Sequence, residues 1–125
     1  MNRTNNICLI DDDQTFLFAA KQLLKIEKKC NNFTICEDGE KAITVIKKLI
    51  KENTLPDIIF LDINMPIQDG WDFLNELDHV IEQNKIPVHI LTSSIDPSDI
   101  EKSKNYKSVK SFISKPLTTK KIKEI

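Results

Sequence analysis

The chain has 125 residues, about one domain's worth, and a chain of that length buries enough surface to fold without disulfides or a structural metal. Its residues are 40% hydrophobic and 30% charged, and 18 basic against 19 acidic side chains leave a net charge of −1, which argues against a nucleic-acid or membrane-surface binder. The balance is uneven: residues 101–125 carry eight Lys against Glu101 and Glu124, leaving ten basic and seventeen acidic side chains in the first hundred.

The opening stretch MNRTNNICLIDDD has too short an apolar run for a signal peptide. No run anywhere reaches the ~18–20 residues of a membrane span. Ile7–Ile10 is an apolar tetrad, expected to be a strand buried on both faces, and it runs into Asp11-Asp12-Asp13. Phe16, Ala19, Ala20, Leu23 and Leu24 then recur at three- and four-residue steps, an amphipathic helix with Asp13 as its N-cap. Phe33–Cys36 is a weaker strand candidate, placed near a sheet edge. Ala42, Ile46, Leu49 and Ile50 mark a second helix, which ends before Leu55-Pro56-Asp57.

Ile58–Leu61 is the next buried strand and leads into Asp62. Leu74, Leu77 and Ile81 predict a third helix, with Glu76 and Glu82 on its outer side and Ile86-Pro87 beyond its end. Val88–Leu91 follows and leads into Thr92-Ser93. Asp96-Pro97-Ser98-Asp99 starts a fourth helix, with Asp96 as N-cap, Pro97 at the first helical position and Asp99 near the positive dipole end. Residues 98–110 hold few apolar anchors, so this helix should be short and weakly packed. Phe112–Ile113 is a short strand candidate before Lys115-Pro116, and Thr118–Ile125 leaves room for a short last helix. Five strands, each followed by a helix, joined by right-handed crossovers, make an α/β doubly wound parallel sheet with helices on both faces. We read residues 1–125 as one domain.

Three cysteines, an odd number in no metal-ligand spacing, read as free thiols in a reducing cytoplasm, with Cys8 in the core. The only glycines, Gly39 and Gly70, exclude a Gly-rich phosphate cradle.

In doubly wound sheets, ligands bind beyond the carboxyl ends of the strands. The residues that directly follow the apolar runs are Asp11-Asp12-Asp13, Asp62, Thr92-Ser93 and Lys115-Pro116: carboxylates, hydroxyls and an amine. If the first and third strands are neighbours, about 4.8 Å apart, then Asp11, Asp12 and Asp62 share one small space. Two carboxylates ~4 Å apart repel by about 4 kcal/mol at an effective dielectric of ~20. Such a cluster calls for a cation or a shared proton, and Mg²⁺ suits an oxygen-only set.

The segments Ile7–Asp13 (ICLIDDD), Phe60–Gly70 (FLDINMPIQDG), His89–Ser94 (HILTSS) and Ser111–Leu117 (SFISKPL) together resemble the receiver domain of two-component response regulators, over essentially the full chain. The middle segment, Asp62 followed by Met65-Pro66 and then Asp69-Gly70, is the most specific. The resemblance implies the flavodoxin-like strand order 2-1-3-4-5, which is not read from the residues themselves. It further implies that Asp62 is the phosphoacceptor, taking a phosphoryl group from the phosphohistidine of a sensor histidine kinase or phosphotransfer protein. Asp12, Asp62 and the backbone carbonyl of Asn64 would ligate Mg²⁺ (Mn²⁺ as a substitute), with Asp11 holding it through water. Thr92 would bond one phosphoryl oxygen and Lys115 neutralise another. Asn64 and Ser94 would flank the path of hydrolytic water, and the rotamer of Phe112 would follow Thr92 and alter the surface read by a downstream effector.

The chain departs from the family's pattern at three places: Ser93 where a small residue such as Ala is frequent, Ser111 where Gly commonly precedes the aromatic, and Phe112 in place of Tyr. Asp11-Asp12-Asp13-Gln14-Thr15 also fits the D-x-D-x-T start of haloacid-dehalogenase-like phosphatases, with Asp11 as nucleophile. That family needs a second acidic pair after its lysine, and only Glu124 follows Lys115. A third reading is a receiver that docks unphosphorylated. The expected function is thus a cytoplasmic signalling phosphoacceptor rather than an enzyme, with no nucleic-acid or membrane partner.

Overall fold

The apolar tetrads become strands because their side chains have helices to meet on both faces. A computed structural model describes residues 5–65 and 67–125. Met1–Thr4 and Pro66 of the Met65-Pro66 pair lie outside the described residues. The elements run β1 (Ile7–Ile10), α1 (Gln14–Glu27), β2 (Phe33–Cys36), α2 (Gly39–Lys51), β3 (Ile58–Leu61), α3 (Gly70–Gln83), β4 (Val88–Thr92), α4 (Pro97–Ser103), β5 (Val109–Ser114) and α5 (Thr119–Lys123). The sheet is parallel, in the order β2-β1-β3-β4-β5, as the resemblance implied.

Strand alternation divides the core in two. Ile7, Leu9, Ile58, Phe60 and Leu91 face Leu17, Ala20 and Leu24 of α1 and Ile122 of α5. Cys8, Ile10, Ile59, Leu61, Val88 and Ile90 face Ala42 and Ile46 of α2 and Phe73, Leu74, Leu77 and Ile81 of α3. The three cysteines are free and buried. Each helix is started by a side chain that accepts a backbone N–H of its first turn: Asp13, Asp38, Asp69, Asp96 and Thr118. Asp69 and Asp72 form a reciprocal capping box on α3. Among the described residues, no helix is long and apolar enough to cross a membrane.

Two expectations need correction. The buried stripe of α1 is Leu17, Ala20 and Leu24, and Ala19 is exposed. Steps of three and then four fit Phe16-Ala19-Leu23 as well as Leu17-Ala20-Leu24, and it is the second set that meets the sheet. The last strand is also the longest, six residues rather than the pair Phe112–Ile113. Its Lys110, Ser111 and Ser114 hid it from an apolar-run criterion, yet its backbone pairs with β4 from Val109 to Ser114, with one register shift that leaves Lys110 without a partner.

Candidate functional site

Register brings the strand ends together. Ile10 pairs with Leu61, so Asp11 and Asp62, the next residues of β1 and β3, emerge side by side. Leu61 pairs with Ile90, which puts Thr92 one residue further along β4, and Thr92 O accepts the N–H of Lys115 at 2.8 Å. Asp11, Asp62 and Thr92 are all buried, while Asp12 is exposed. One carboxylate oxygen from each of Asp11, Asp12 and Asp62 lies within 4.8 Å of the others. The oxygen-only donor set suits a hard divalent cation.

The Lys115 ammonium sits 2.8 Å from Asp11 Oδ2 and 3.3 Å from Asp62 Oδ2. Burial works to lower the Lys115 pKa, but the two carboxylates more than offset it and hold it above its ordinary value. Burial raises Asp11 above the usual carboxylate range, against the pull of Lys115 and of the Asp13 N–H, and the Asp62 charge adds to the rise. Asp62 Oδ1 accepts the Asn64 N–H at 3.0 Å, and Asn64 Nδ2 reaches Thr92 Oγ1 at 3.4 Å. All six candidate site residues (Asp11, Asp12, Asp62, Asn64, Thr92 and Lys115) therefore gather at the carboxyl edge of the sheet. Asp13 caps α1, as expected. Phe112 lies opposite Ile90 and is partly buried against the α2–α3 side of the core.

Two neighbours were not anticipated. Phe16, in the first turn of α1, puts its ring under the Lys115 ammonium at 4.2 Å, a cation–π contact that limits where the amine can swing. The signal was an aromatic on the apolar stripe just after the acidic run. Asp99, read only as a dipole partner, accepts the Ser94 hydroxyl at 2.6 Å.

A family model of the response regulator receiver domain matches residues 7–125. The chain belongs to this family. The match runs through Asp11–Thr15, so the stretch that also fitted a phosphatase motif is accounted for within the receiver. Response regulator Rcp1 of Synechocystis is 27% identical over 96 residues, 75% of this chain and 65% of that protein, and the chain spans smaller shares of several longer relatives. A two-component response regulator from Cytophaga hutchinsonii superposes with a TM-score of 0.88 at 29% identity, covering 98% of this chain and 93% of that one. The Mn²⁺-bound form of Rcp1 matches with a TM-score of 0.74 at 26% identity, over 95% of this chain and 86% of that one.

Gly70 sets the start of α3 close against the backbone of Asp62 and Ile63. A β-carbon there would lie 2.6 Å from the Asp62 carbonyl oxygen and 2.7 Å from Ile63 Cα, both backbone atoms that cannot turn aside. Gly70→Ala should therefore cost about 1–3 kcal/mol, as overpacking does, and displace Asp62. Urea denaturation measures the first effect and the Asp62 amide shift the second. A variant as stable as the parent would mean that this approach is not tight.

Proposed function

We propose that this receiver accepts a phosphoryl group on Asp62 from the phosphohistidine of a sensor histidine kinase or phosphotransfer protein, and that the change is read by a downstream effector protein. The observation that carries this reading is the Lys115 ammonium, shared between the buried carboxylates of Asp11 and Asp62 beside the Thr92 hydroxyl. In the transfer an Asp62 carboxylate oxygen forms a bond to phosphorus while the bond from phosphorus to the imidazole nitrogen breaks, and the electron pair stays on that nitrogen. Transfer in line needs positioning and charge neutralisation more than covalent help. Lys115 supplies a fixed positive charge, and Phe16 keeps it in place. Thr92 accepts from Asn64 and from the Ser94 N–H, which leaves its own proton for a phosphoryl oxygen.

Asp11, Asp12 and Asp62, with the Asn64 carbonyl, would hold Mg²⁺, and Mn²⁺ would substitute for it, as the Mn²⁺-bound form of Rcp1 suggests. Such an ion, when bound, neutralises charge on the phosphoryl oxygens. The receiver's own chemistry is confined to Asp62, as a signalling phosphoacceptor. Its buried thiols fit a reducing compartment, and we place it in the cytoplasm.

The test is intact-mass measurement after incubation with a small-molecule phosphodonor. One phosphoryl group should be gained in the presence of Mg²⁺, none in excess chelator, and none by Asp62→Asn under either condition. Labelling of Asp62→Asn would overturn the assignment of the acceptor, and full labelling in chelator would overturn the role of the metal.

A further inference from the structure

Helix α4 has only one buried residue, Ser103, so apolar packing does little to fix its position. Polar contacts hold it at both ends. At its start, Ser94 Oγ donates to Asp99 Oδ2 at 2.6 Å and accepts the Asp96 N–H at 3.3 Å. Towards its end, the Lys102 ammonium lies 4.7 Å from the centre of the Trp71 ring, which stacks on Tyr106 at 5.8 Å. Trp71 is the only tryptophan in the chain.

The first of these contacts reaches back into the site. The backbone N–H of the same Ser94 donates to Thr92 Oγ1 at 3.3 Å, and Asn64 Nδ2 approaches that oxygen at 3.4 Å. With both approaches used for acceptance, the Thr92 hydroxyl proton is the group left to turn toward Asp62. That orientation holds only while the Ser94 backbone stays in place, and Ser94 is anchored from outside the site by the carboxylate of Asp99.

Resting on the phosphoacceptor reading above, we propose that Asp99 is a positioning residue of the site: acting through Ser94, it orients Thr92 toward the phosphoryl group and ties the first turn of α4 to whether that group is present. Asp99 touches neither Asp62 nor Lys115. A phosphoryl oxygen that draws Thr92 toward Asp62 draws Ser94 after it, because the Ser94 N–H keeps its bond to Thr92 Oγ1. The Ser94–Asp99 bond carries that displacement into α4, and Lys102 carries it on to Trp71. The β4–α4 connection thus works as a tether between the acceptor site and the helix beside β5.

The experiment uses the full chain with Mg²⁺ and beryllofluoride, a phosphoryl mimic. Fluorine NMR reads the bound mimic and Trp71 fluorescence reads α4. The parent should bind the mimic and change its fluorescence saturably, and Asp62→Asn should do neither. Asp99→Ala should weaken binding about five- to tenfold, the usual effect of losing one net hydrogen bond, and should lose most of the fluorescence change. Asp99→Asn keeps an acceptor oxygen for Ser94 and should return both readouts to within about twofold of the parent, since the hydrogen bond rather than the charge does the positioning. Ser94→Ala should resemble Asp99→Ala, and the double variant should be no worse than either single one. Lys102→Met should reduce the fluorescence change while leaving binding of the mimic intact. Thermal melts of each variant separate these effects from misfolding, which α4's shallow packing makes avoidable.

Parent-like binding and fluorescence in both Asp99→Ala and Ser94→Ala would overturn the tether while leaving the phosphoacceptor reading standing. Additive losses in the double variant would overturn it too. A parent protein that binds no mimic would overturn the phosphoacceptor reading and this inference with it.

Discussion

Replacing Lys115 by alanine should cost the protein about 3 kcal/mol of stability in chelator, the usual result of leaving buried charge without its partner. The Lys115 side chain is 16% exposed and those of Asp11 and Asp62 are 4% and 5% exposed, so little solvent is at hand to screen the carboxylates once the ammonium is gone. Adding Asp11→Asn to the same protein should recover most of the loss. The amide oxygen can still accept the Asp13 N–H that Asp11 Oδ1 now accepts at 2.9 Å, and the repulsion disappears. Millimolar Mg²⁺ should also restore stability to Lys115→Ala by mass action, because a cation that binds only the folded state adds its binding free energy to folding. Urea denaturation of the four samples decides the matter. If Lys115→Ala is as stable as the parent in chelator, the carboxylates are better solvated than their burial implies.

Acidification from pH 7 to pH 4 should remove about 3 kcal/mol of stability through one residue, His89. His89 lies on β4, 5% exposed, with its ring 5.8 Å from that of Phe60 and Nδ1 2.6 Å from Ser111 Oγ. Burial, reinforced by the charges of Lys28 and Lys110, brings its pKa down from 6.5 to about 4. Below pH 6.5 the unfolded chain takes up a proton that the folded one refuses. The contribution is therefore whole above 6.5, declines as the pH falls, and levels off below about 4. At about 1.4 kcal/mol per pH unit the total is about 3 kcal/mol. His89→Gln keeps a partner for Ser111 but cannot titrate, so its stability should fall less across this window. The raised pKa of Asp11 acts with the opposite sign in both proteins, since a folded state that binds a proton more readily gains as the pH falls. The difference between the two denaturation profiles isolates His89. Parallel profiles from pH 7 to pH 4 would mean that the ring is protonated without cost.

Much of the site was legible in the residues themselves. Asp11, Asp62 and Thr92 end or directly follow apolar runs, and Lys115 comes directly after the strand that Phe112 and Ile113 marked. In a parallel sheet every strand ends at the same edge, so polar residues in those places line one edge. The caps at Asp13 and Asp96 were equally local, since each involves a backbone N–H two or three positions away. Resemblance of the motifs supplied what local reasoning could not, namely the strand order.

Other features depended on contacts between elements far apart in the chain. Ala19 and Leu17 are both apolar, and only the packing of α1 on the sheet left one exposed and buried the other. Strand β5 needed the ladder with β4 to extend past its two apolar residues. Phe16 reached Lys115 from 99 positions earlier in the chain, and Asp62 lay 53 positions from the same ammonium. Periodicity, turn chemistry and capping are set by neighbours within about four residues, so the sequence by itself determined the elements and the polar ends of the strands. The pairing register, the shared ammonium, the burial of His89 and the link from Thr92 to α4 were decided only when the crossovers closed, because each requires groups from separate elements to come within hydrogen-bonding or van der Waals distance.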